Sequence, residues 1–241
     1  MRAALLACLT VGACAAPQAS QVQRLAPAAD LPPMKTFSAP RVTPPQRSNT
    51  AIAQDFMDLT FRMESGRAVP VMTRFDEPVS VRVVPGAPSS LGPDLAALLA
   101  RLRREAGIDI RQVGADRPAN ITIQAVHRRD LQKLVPQAAC FVVPNVTSWK
   151  DYRRKRRSPS VDWTNLTHRD EAAIFLPADV SAQEVRDCLH EELSQSLGPL
   201  NDLYRLPDSI FNDDNFQTIL TGFDMLILRA YYAPELKNGM T

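Results

Sequence analysis

Residues 181 to 202 read SAQEVRDCLHEELSQSLGPLND, and this stretch decides the fold. Ser181 and Glu184 have the spacing of a capping box, in which each side chain bonds the other residue's backbone amide. We therefore predict a helix that begins at Ala182. Gly198, followed by a proline, predicts the end of the helix, with the glycine in a left-handed C-cap conformation.

The faces of this helix differ in chemistry. Four apolar residues recur at four-residue intervals and form one stripe that faces a core. These residues are Val185, Leu189, Leu193 and Leu197. Glu191 and Gln195 lie together on nearly the opposite side, with His190 on a flank and Glu192 beside the stripe. Three consecutive ionisable residues this close to a buried stripe cost free energy of desolvation unless groups outside the helix interact with them. The helix is therefore the candidate site.

Two metalloprotease motifs compete as descriptions of the helix. The zinc motif HExxH fails because a serine stands where the second histidine would lie. The metzincin pattern HExxHxxGxxH instead places its glycine three residues after the second histidine, so Gly198 sets a second frame. In that frame Glu191, Gln195 and Asn201 occupy the three histidine positions, and Glu192 occupies the position of the catalytic glutamate.

Later segments extend this resemblance to metzincin proteases. Residues 206 to 213, LPDSIFND, resemble the family's turn beneath the metal, with Phe211 in place of the methionine. Residues 220 to 232, LTGFDMLILRAYY, are similar to its closing helix, with Asp224 near the start. The core HEExxQxxGxxND also resembles that of an uncharacterised family of bacterial lipoproteins.

The resemblance implies an α+β fold, a zincin-like (metzincin-like) single domain in which a mixed sheet packs on a central helix of the active-site type. The preceding chain has a compatible order of elements. Residues 54 to 63 predict an amphipathic helix, 71 to 86 a hairpin or paired strands, and 93 to 107 a second helix. IDIRQV and NITIQAV then predict two further strands.

Residues 172 to 177, AAIFLP, predict a strand immediately before the central helix. In a zincin, an extended substrate pairs along the edge strand at this point. The resemblance therefore implies that AAIFLP is an edge strand and that a peptide groove runs beside it.

Two functional classes stay open. In the first, the zincin scaffold has lost its catalytic metal and serves as a non-catalytic scaffold that binds a peptide or protein. In the second, the chain is a metal-dependent peptidase in which Glu191 or Glu192 activates a water. The candidate metal ligands are His190, Glu191, Gln195, Asn201 and Asp202.

The composition of this ligand set favours the scaffold. Its oxygen-rich groups suit calcium, magnesium or manganese better than zinc, whose usual ligands include histidine or cysteine. His190 is expected to be displaced from the cleft and bonded to a neighbour. A third interpretation is that Glu191, Glu192 and Asn201 only tie the helix to adjacent loops.

The N-terminus predicts export. MRAALLACLTVGAC has a basic start and a short apolar run, and its last four residues resemble a lipobox in which Cys14 becomes lipidated. An ordinary signal peptide cut near Ala16 is the alternative. Residues 15 to 50 are rich in proline and predict a disordered tether, followed by a domain over 51 to 241. A lipid at Cys14 predicts the periplasmic face of a bacterial membrane, with the outer membrane favoured.

The remaining cysteines and charges carry further expectations. Cys140 and Cys188 form an even pair in an exported chain, which predicts a disulfide, with two unpaired buried cysteines as the alternative. Residues 153 to 157, RRKRR, either meet lipid phosphates or form a solvated loop. His127 and His168 are interpreted as ordinary histidines. The net charge of +2 indicates no particular partner, and nothing in the sequence predicts nucleic-acid binding.

Overall fold

The computed structural model of the protein describes residues 47–212 and 217–241. In them the chain forms six α-helices and a five-stranded sheet. The helices are α1 (Asn49–Thr60), α2 (Leu91–Arg101), α3 (Arg128–Gln132), α4 (Trp149–Lys155), α5 (Ala182–Leu197) and α6 (Gly222–Tyr231). The strands are β1 (Val79–Val83), β2 (Ile110–Gln112), β3 (Ile121–Val126), β4 (Phe141–Pro144) and β5 (Ala172–Pro177). The predicted signal peptide, lipobox and most of the predicted tether lie outside the described residues.

The sheet is mixed, as the sequence predicts. Its strand order is β2-β1-β3-β5-β4; β4 runs antiparallel to β5, and the other neighbouring strands are parallel. The predicted edge strand AAIFLP is β5, which lies inside the sheet between β3 and β4 and is buried throughout. That prediction was wrong, because a run of six apolar residues is the pattern of a strand covered on both faces.

The two faces of β5 pack into different cores. Ile174 and Leu176 join the larger cluster, which includes the apolar faces of α2, α5 and α6. Phe175 points to the other face and packs in a smaller cluster with Tyr152 of α4 and Leu131 of α3. Because successive side chains of a strand alternate between faces, this one strand joins both layers of helices to the sheet.

The predicted hairpin or paired strands over residues 71 to 86 are not formed. Only β1 is a strand in that segment, and its partners are β2 and β3, which come later in the chain and run parallel to it. Val79 and Val81 alternate with polar residues and point into the larger core. The alternation therefore identified the strand but not its partners, which depend on residues far along the chain.

α5 is the helix that the sequence predicts. It begins at Ala182, and both bonds of the capping box between Ser181 and Glu184 are present. The predicted apolar stripe is fully buried, with all four side chains at 0% exposure. These are Val185, Leu189, Leu193 and Leu197.

Gly198 ends α5 for a reason other than the predicted one. Its backbone is extended, with φ at −177°, so it is not in the left-handed conformation. A Cβ at this position would lie 2.8 Å from two carbons of the Tyr231 ring on α6. The ring cannot move aside easily, because it is fully buried and its hydroxyl donates to the Thr73 carbonyl. Glycine is required here for close packing of α6 against the end of α5.

A buried cation caps the C-terminus of α5. Arg169 is 4% exposed, and its guanidinium donates to the carbonyls of Gln195 (2.6 Å), Ser196 (2.8 Å) and Gly198 (2.6 Å). It also lies 4.6 Å over the ring of Trp163. No carboxylate among the described residues forms an ion pair with it, so the carbonyls at the negative end of the helix dipole and the aromatic ring stabilise the charge.

We expect Gly198→Ala to lower the free energy of unfolding by about 1–3 kcal/mol, because the added methyl group overpacks the contact with Tyr231. Gly222→Ala is the matched control, since a Cβ at Gly222 meets no atom within 4 Å. That control is expected to change stability by at most about 1 kcal/mol, in the stabilising direction. Urea denaturation measures both, and equal effects would refute the packing explanation.

We expect Arg169→Met to lower the free energy of unfolding by at least about 3 kcal/mol, because it leaves buried carbonyl groups without their donor. The exposed Arg111→Met is the control and is expected to stay within about 0.5 kcal/mol of the parent. Arg169→Lys should fall between them, because an ammonium lacks the planar fork that serves several acceptors. Equal stability of the two methionine variants would contradict the capping role.

Candidate functional site

A cleft of about 560 Å³ lies beside the N-terminal part of β4. One wall is α5, and the opposite walls are the loop after α1 and the segment that leads into β4. Apolar side chains contributed by several elements line part of it, including Met63, Phe141, Val142 and Ile210. The cleft therefore combines an apolar lining with the polar face of the central helix.

The polar wall comes from one face of α5. Asp187, Glu191 and Gln195 follow one another at four-residue spacing and line the cleft together, with Glu192 beside them. The Gln195 side-chain amide lies 3.5 Å from a Glu191 carboxylate oxygen. The structure thus brings together Glu191, Glu192 and Gln195, as the second motif frame predicts. Asp187 was missed, although its helical spacing from Glu191 was a usable signal.

Glu64 supplies a further carboxylate from across the cleft. Its Oε1 accepts a hydrogen bond of 2.7 Å from the Gln195 side-chain amide. The loop that carries it is held against the chain after α5, because the Glu64 amide donates to the Leu200 carbonyl at 3.3 Å. Glu64 could not be predicted from the sequence, because 131 positions separate it from Gln195 and no local pattern marks it.

The predicted disulfide is present at the cleft. Cys140 and Cys188 are joined, with their Cα atoms 5.9 Å apart. The bond ties the start of β4 to α5, and by the chain-entropy argument it stabilises the fold by about 4 kcal/mol. The Cys140 sulfur and carboxylate oxygens of Glu191 and Glu192 lie within 4.8 Å of one another. Because the sulfur is in a disulfide, it cannot act as a thiolate ligand.

The turn after α5 is held from α6. The buried Asp224 carboxylate accepts from the Ser209 hydroxyl at 2.5 Å, the Ile210 amide at 3.1 Å and the Thr221 amide at 2.6 Å. Burial raises the pKa of Asp224 above its ordinary value, and the hydrogen bonds oppose that shift. This anchor places Ile210 in the cleft lining and Phe211, the residue at the methionine position, in the larger core.

His190 points away from the cleft, into the interior. It is fully buried, and its Nδ1 accepts a hydrogen bond of 3.0 Å from the Leu220 amide. Its displacement from the cleft as a flank residue bonded to a neighbour agrees with the sequence expectation, and it leaves His190 apart from the other candidate metal ligands that line the cleft. Burial first, then the positive charges of Arg101 and Arg186, hold the pKa of His190 well below its ordinary value. The imidazole is therefore neutral and structural.

Asn201 and Asp202 are not part of the cleft lining. The Asn201 side-chain amide donates to the Asp58 carbonyl at 2.9 Å and so ties the segment after α5 to α1. This contact is what the third interpretation, a tie between helix and loops, expects of Asn201. His127 and His168 are exposed, as anticipated, at 71% and 57% of their side chains.

The cleft does not fit a zinc ion. Among the residues that the structure describes, no histidine lines it, and its one cysteine is oxidised in a disulfide. Carboxylate and amide oxygens remain, and these are the donors that hard cations such as calcium or magnesium take. The predicted assignment of Glu191 and Gln195 as metal ligands stays a prediction for such an ion.

Fold and cleft together define a mixed α/β domain with an acidic cleft beside an edge strand. Residues 49–241 match the family described as "Protein of unknown function (DUF2927)", and the chain belongs to that family. This confirms the expected membership of an uncharacterised family. No curated protein matches the chain in sequence. Within the described residues, no helix has the length and apolar character needed to cross a bilayer.

We expect the stability of the domain to fall as the pH drops below about 6.5, in part because unfolding lets His190 take up a proton. A histidine whose folded pKa is lowered contributes stability that is present above its unfolded pKa and lost below it. Between about pH 7.5 and pH 5.5, the parent should lose about 1.4 kcal/mol more than His190→Asn, whose side-chain oxygen can still accept from Leu220. Urea denaturation at both pH values measures the difference, and identical pH dependence would contradict the assignment.

Proposed function

We propose that this protein is a non-catalytic binding domain that takes an extended peptide or protein segment into the acidic cleft. The observation that carries the proposal is the position of the cleft, which runs along the start of the edge strand β4 and includes Cys140, Phe141 and Val142 in its lining. Pairing with an exposed sheet edge is a common way to bind a peptide, since backbone hydrogen bonds supply affinity for any sequence.

The hydrogen-bond register indicates that the backbone of Val142 can pair with an added strand. Asn145 donates to the Glu171 carbonyl at 2.9 Å, and Val143 pairs with Ala173 of β5. Hydrogen bonds in an antiparallel pair alternate, so residues 141, 143 and 145 bond with β5 while the amide and carbonyl of Val142 face away from it. Pro144, the next outward residue, lacks an N–H and limits the length of any added strand.

The cleft chemistry indicates the class of ligand. Glu64 and Glu191 line it from different elements and lie on either side of the Gln195 side-chain amide, with Asp187 and Glu192 adding further carboxylates. Met63, Phe141 and Ile210 provide apolar contact area beside them. A segment with one lysine or arginine among apolar residues would complement both features. Glu191→Ala is accordingly expected to weaken binding.

The proposal includes a zincin-like scaffold in an exported, lipid-anchored protein. The order of elements along the chain supports the zincin-like scaffold. A mixed sheet with one antiparallel edge strand is followed by the central helix α5, the turn anchored by Asp224 and the closing helix α6. The resemblance to metzincins implies this order. Lipidation at Cys14 and location at the periplasmic face are supported by the N-terminal sequence, and the Cys140–Cys188 disulfide is consistent with export.

The test is selection of binding peptides by the full-length chain, followed by comparison of Val142→Pro with Val142→Ala. Both substitutions remove the buried valine side chain, but only proline removes the outward N–H. We expect Val142→Pro to weaken the selected peptides at least about tenfold relative to Val142→Ala, the loss of about one backbone hydrogen bond to the ligand. Equal affinities of the two variants would refute strand pairing at β4.

A metal-dependent peptidase is the second candidate, because carboxylate oxygens of Glu191 and Glu192 lie within 4.8 Å of each other and could share a hard cation. Metal analysis of the purified chain, together with peptide hydrolysis before and after chelation, separates the two functions. A stoichiometric divalent cation and hydrolysis that Glu192→Gln abolishes would replace the binding proposal. Peptide binding that survives chelation would support the scaffold.

A further inference from the structure

A dense group of positive charges covers the outer side of α4 and the turn after it. Residues 150 to 157 contain six basic side chains and one acidic side chain, in a chain whose net charge is only +2. The rest of the chain therefore carries a net charge of −3. This short segment therefore carries a local excess of positive charge that the rest of the chain does not have.

Some of these charges are already used inside the domain. Asp151 pairs with Arg154 at 2.7 Å and with Lys155 at 3.0 Å, and Lys155 also donates to the Asn145 carbonyl at 2.9 Å. Other basic residues of the segment are exposed and form no ion pair or side-chain hydrogen bond with any residue in the described part of the chain. They are Lys150, Arg153, Arg156 and Arg157.

The fold holds this basic patch, defined by Lys150, Arg153, Arg156 and Arg157, in a fixed orientation. Ser148 caps the start of α4 through a bond from the Asp151 amide. The Tyr152 ring is buried 5.5 Å from that of Phe175, between ring centroids. Lys150 and Arg153, three residues apart, share a face of the helix, and this face is not the one that buries Tyr152. Lys150 and Arg153 are thus presented by an anchored helix, and Arg156 and Arg157 lie in the turn directly after it.

From this charge distribution we infer that the basic patch is a docking surface for an anionic phospholipid membrane. Guanidinium groups bind phosphate oxygens in bidentate fashion, and a planar array of headgroups offers many phosphates at once. Nucleic acid fits less well, because the neighbouring rings of Trp149 and Tyr152 pack among Phe141 and Phe175 and do not form an exposed stacking platform. The net negative charge elsewhere would orient the domain with this patch toward the membrane.

The test uses vesicle co-sedimentation with the full chain carrying Cys14→Ser, so that lipidation cannot supply the attachment. Vesicles of phosphatidylcholine alone are compared with vesicles containing roughly 30% phosphatidylglycerol, an anionic lipid. The patch variant combines Arg153→Gln, Arg156→Gln and Arg157→Gln. The control variant combines Arg111→Gln, Arg117→Gln and Lys237→Gln, which removes the same charge from other exposed positions.

We expect the parent to bind the anionic vesicles preferentially and to release them as ionic strength rises from about 0.05 M to about 0.5 M. Each basic residue near an anionic surface contributes about a fivefold factor, so the patch variant should bind about 100-fold more weakly, while the control changes by less than about threefold. Equal losses in the two variants, or no preference for anionic vesicles, would overturn the inference. Tighter binding of the parent to a single-stranded oligonucleotide at the same ionic strength would assign the patch to nucleic acid instead.

Discussion

The buried guanidinium of Arg169 is the constraint on which the central helix depends. It stabilises the negative C-terminal end of α5, where the carbonyls of Ser196 and Gly198 would otherwise lack this donor, and it does so without a carboxylate partner among the described residues. Because Arg169 also donates to the Thr73 hydroxyl and lies over Trp163, one side chain joins the end of the helix to the loop before β1 and to a wall of the cleft. This junction holds the C-terminal end of α5, the end that carries Gln195 into the wall of the cleft.

Neighbouring residues on α5 have opposite roles because each step along a helix turns the side chain by about 100°. His190 turns inward, where burial and two arginines keep it neutral, while Glu191 turns toward the cleft and contacts the amide of Gln195. A motif that pairs a histidine with the next glutamate as ligand and base cannot operate in this arrangement. The frame set by the glycine describes the geometry better, since Glu191, Glu192 and Gln195 all line the cleft, but its third ligand position, Asn201, lies outside the lining.

The parts of the fold that short-range signals determine could be predicted from the sequence. The capping box at Ser181 and the stripe that includes Leu189 and Leu193 placed α5 correctly. The even pair of cysteines indicated the disulfide. The interior position of β5 could not be predicted in this way, because strand order depends on pairing across the whole chain. For the same reason Glu64 and Arg169 escaped notice: each meets α5 only after distant segments have folded together.

The close approach of Gly198 to Tyr231 changes what a glycine at this position indicates in a search for related sequences. In a catalytic metal motif, a glycine at this position is usually counted as part of the signature for the reaction. Here its presence reports that an aromatic ring of the last helix packs against the end of the central one. Sequences selected for this glycine would therefore share the packing of the last helix against the central one. The side chains at positions 191, 192 and 195 would be needed to distinguish catalytic members from non-catalytic ones.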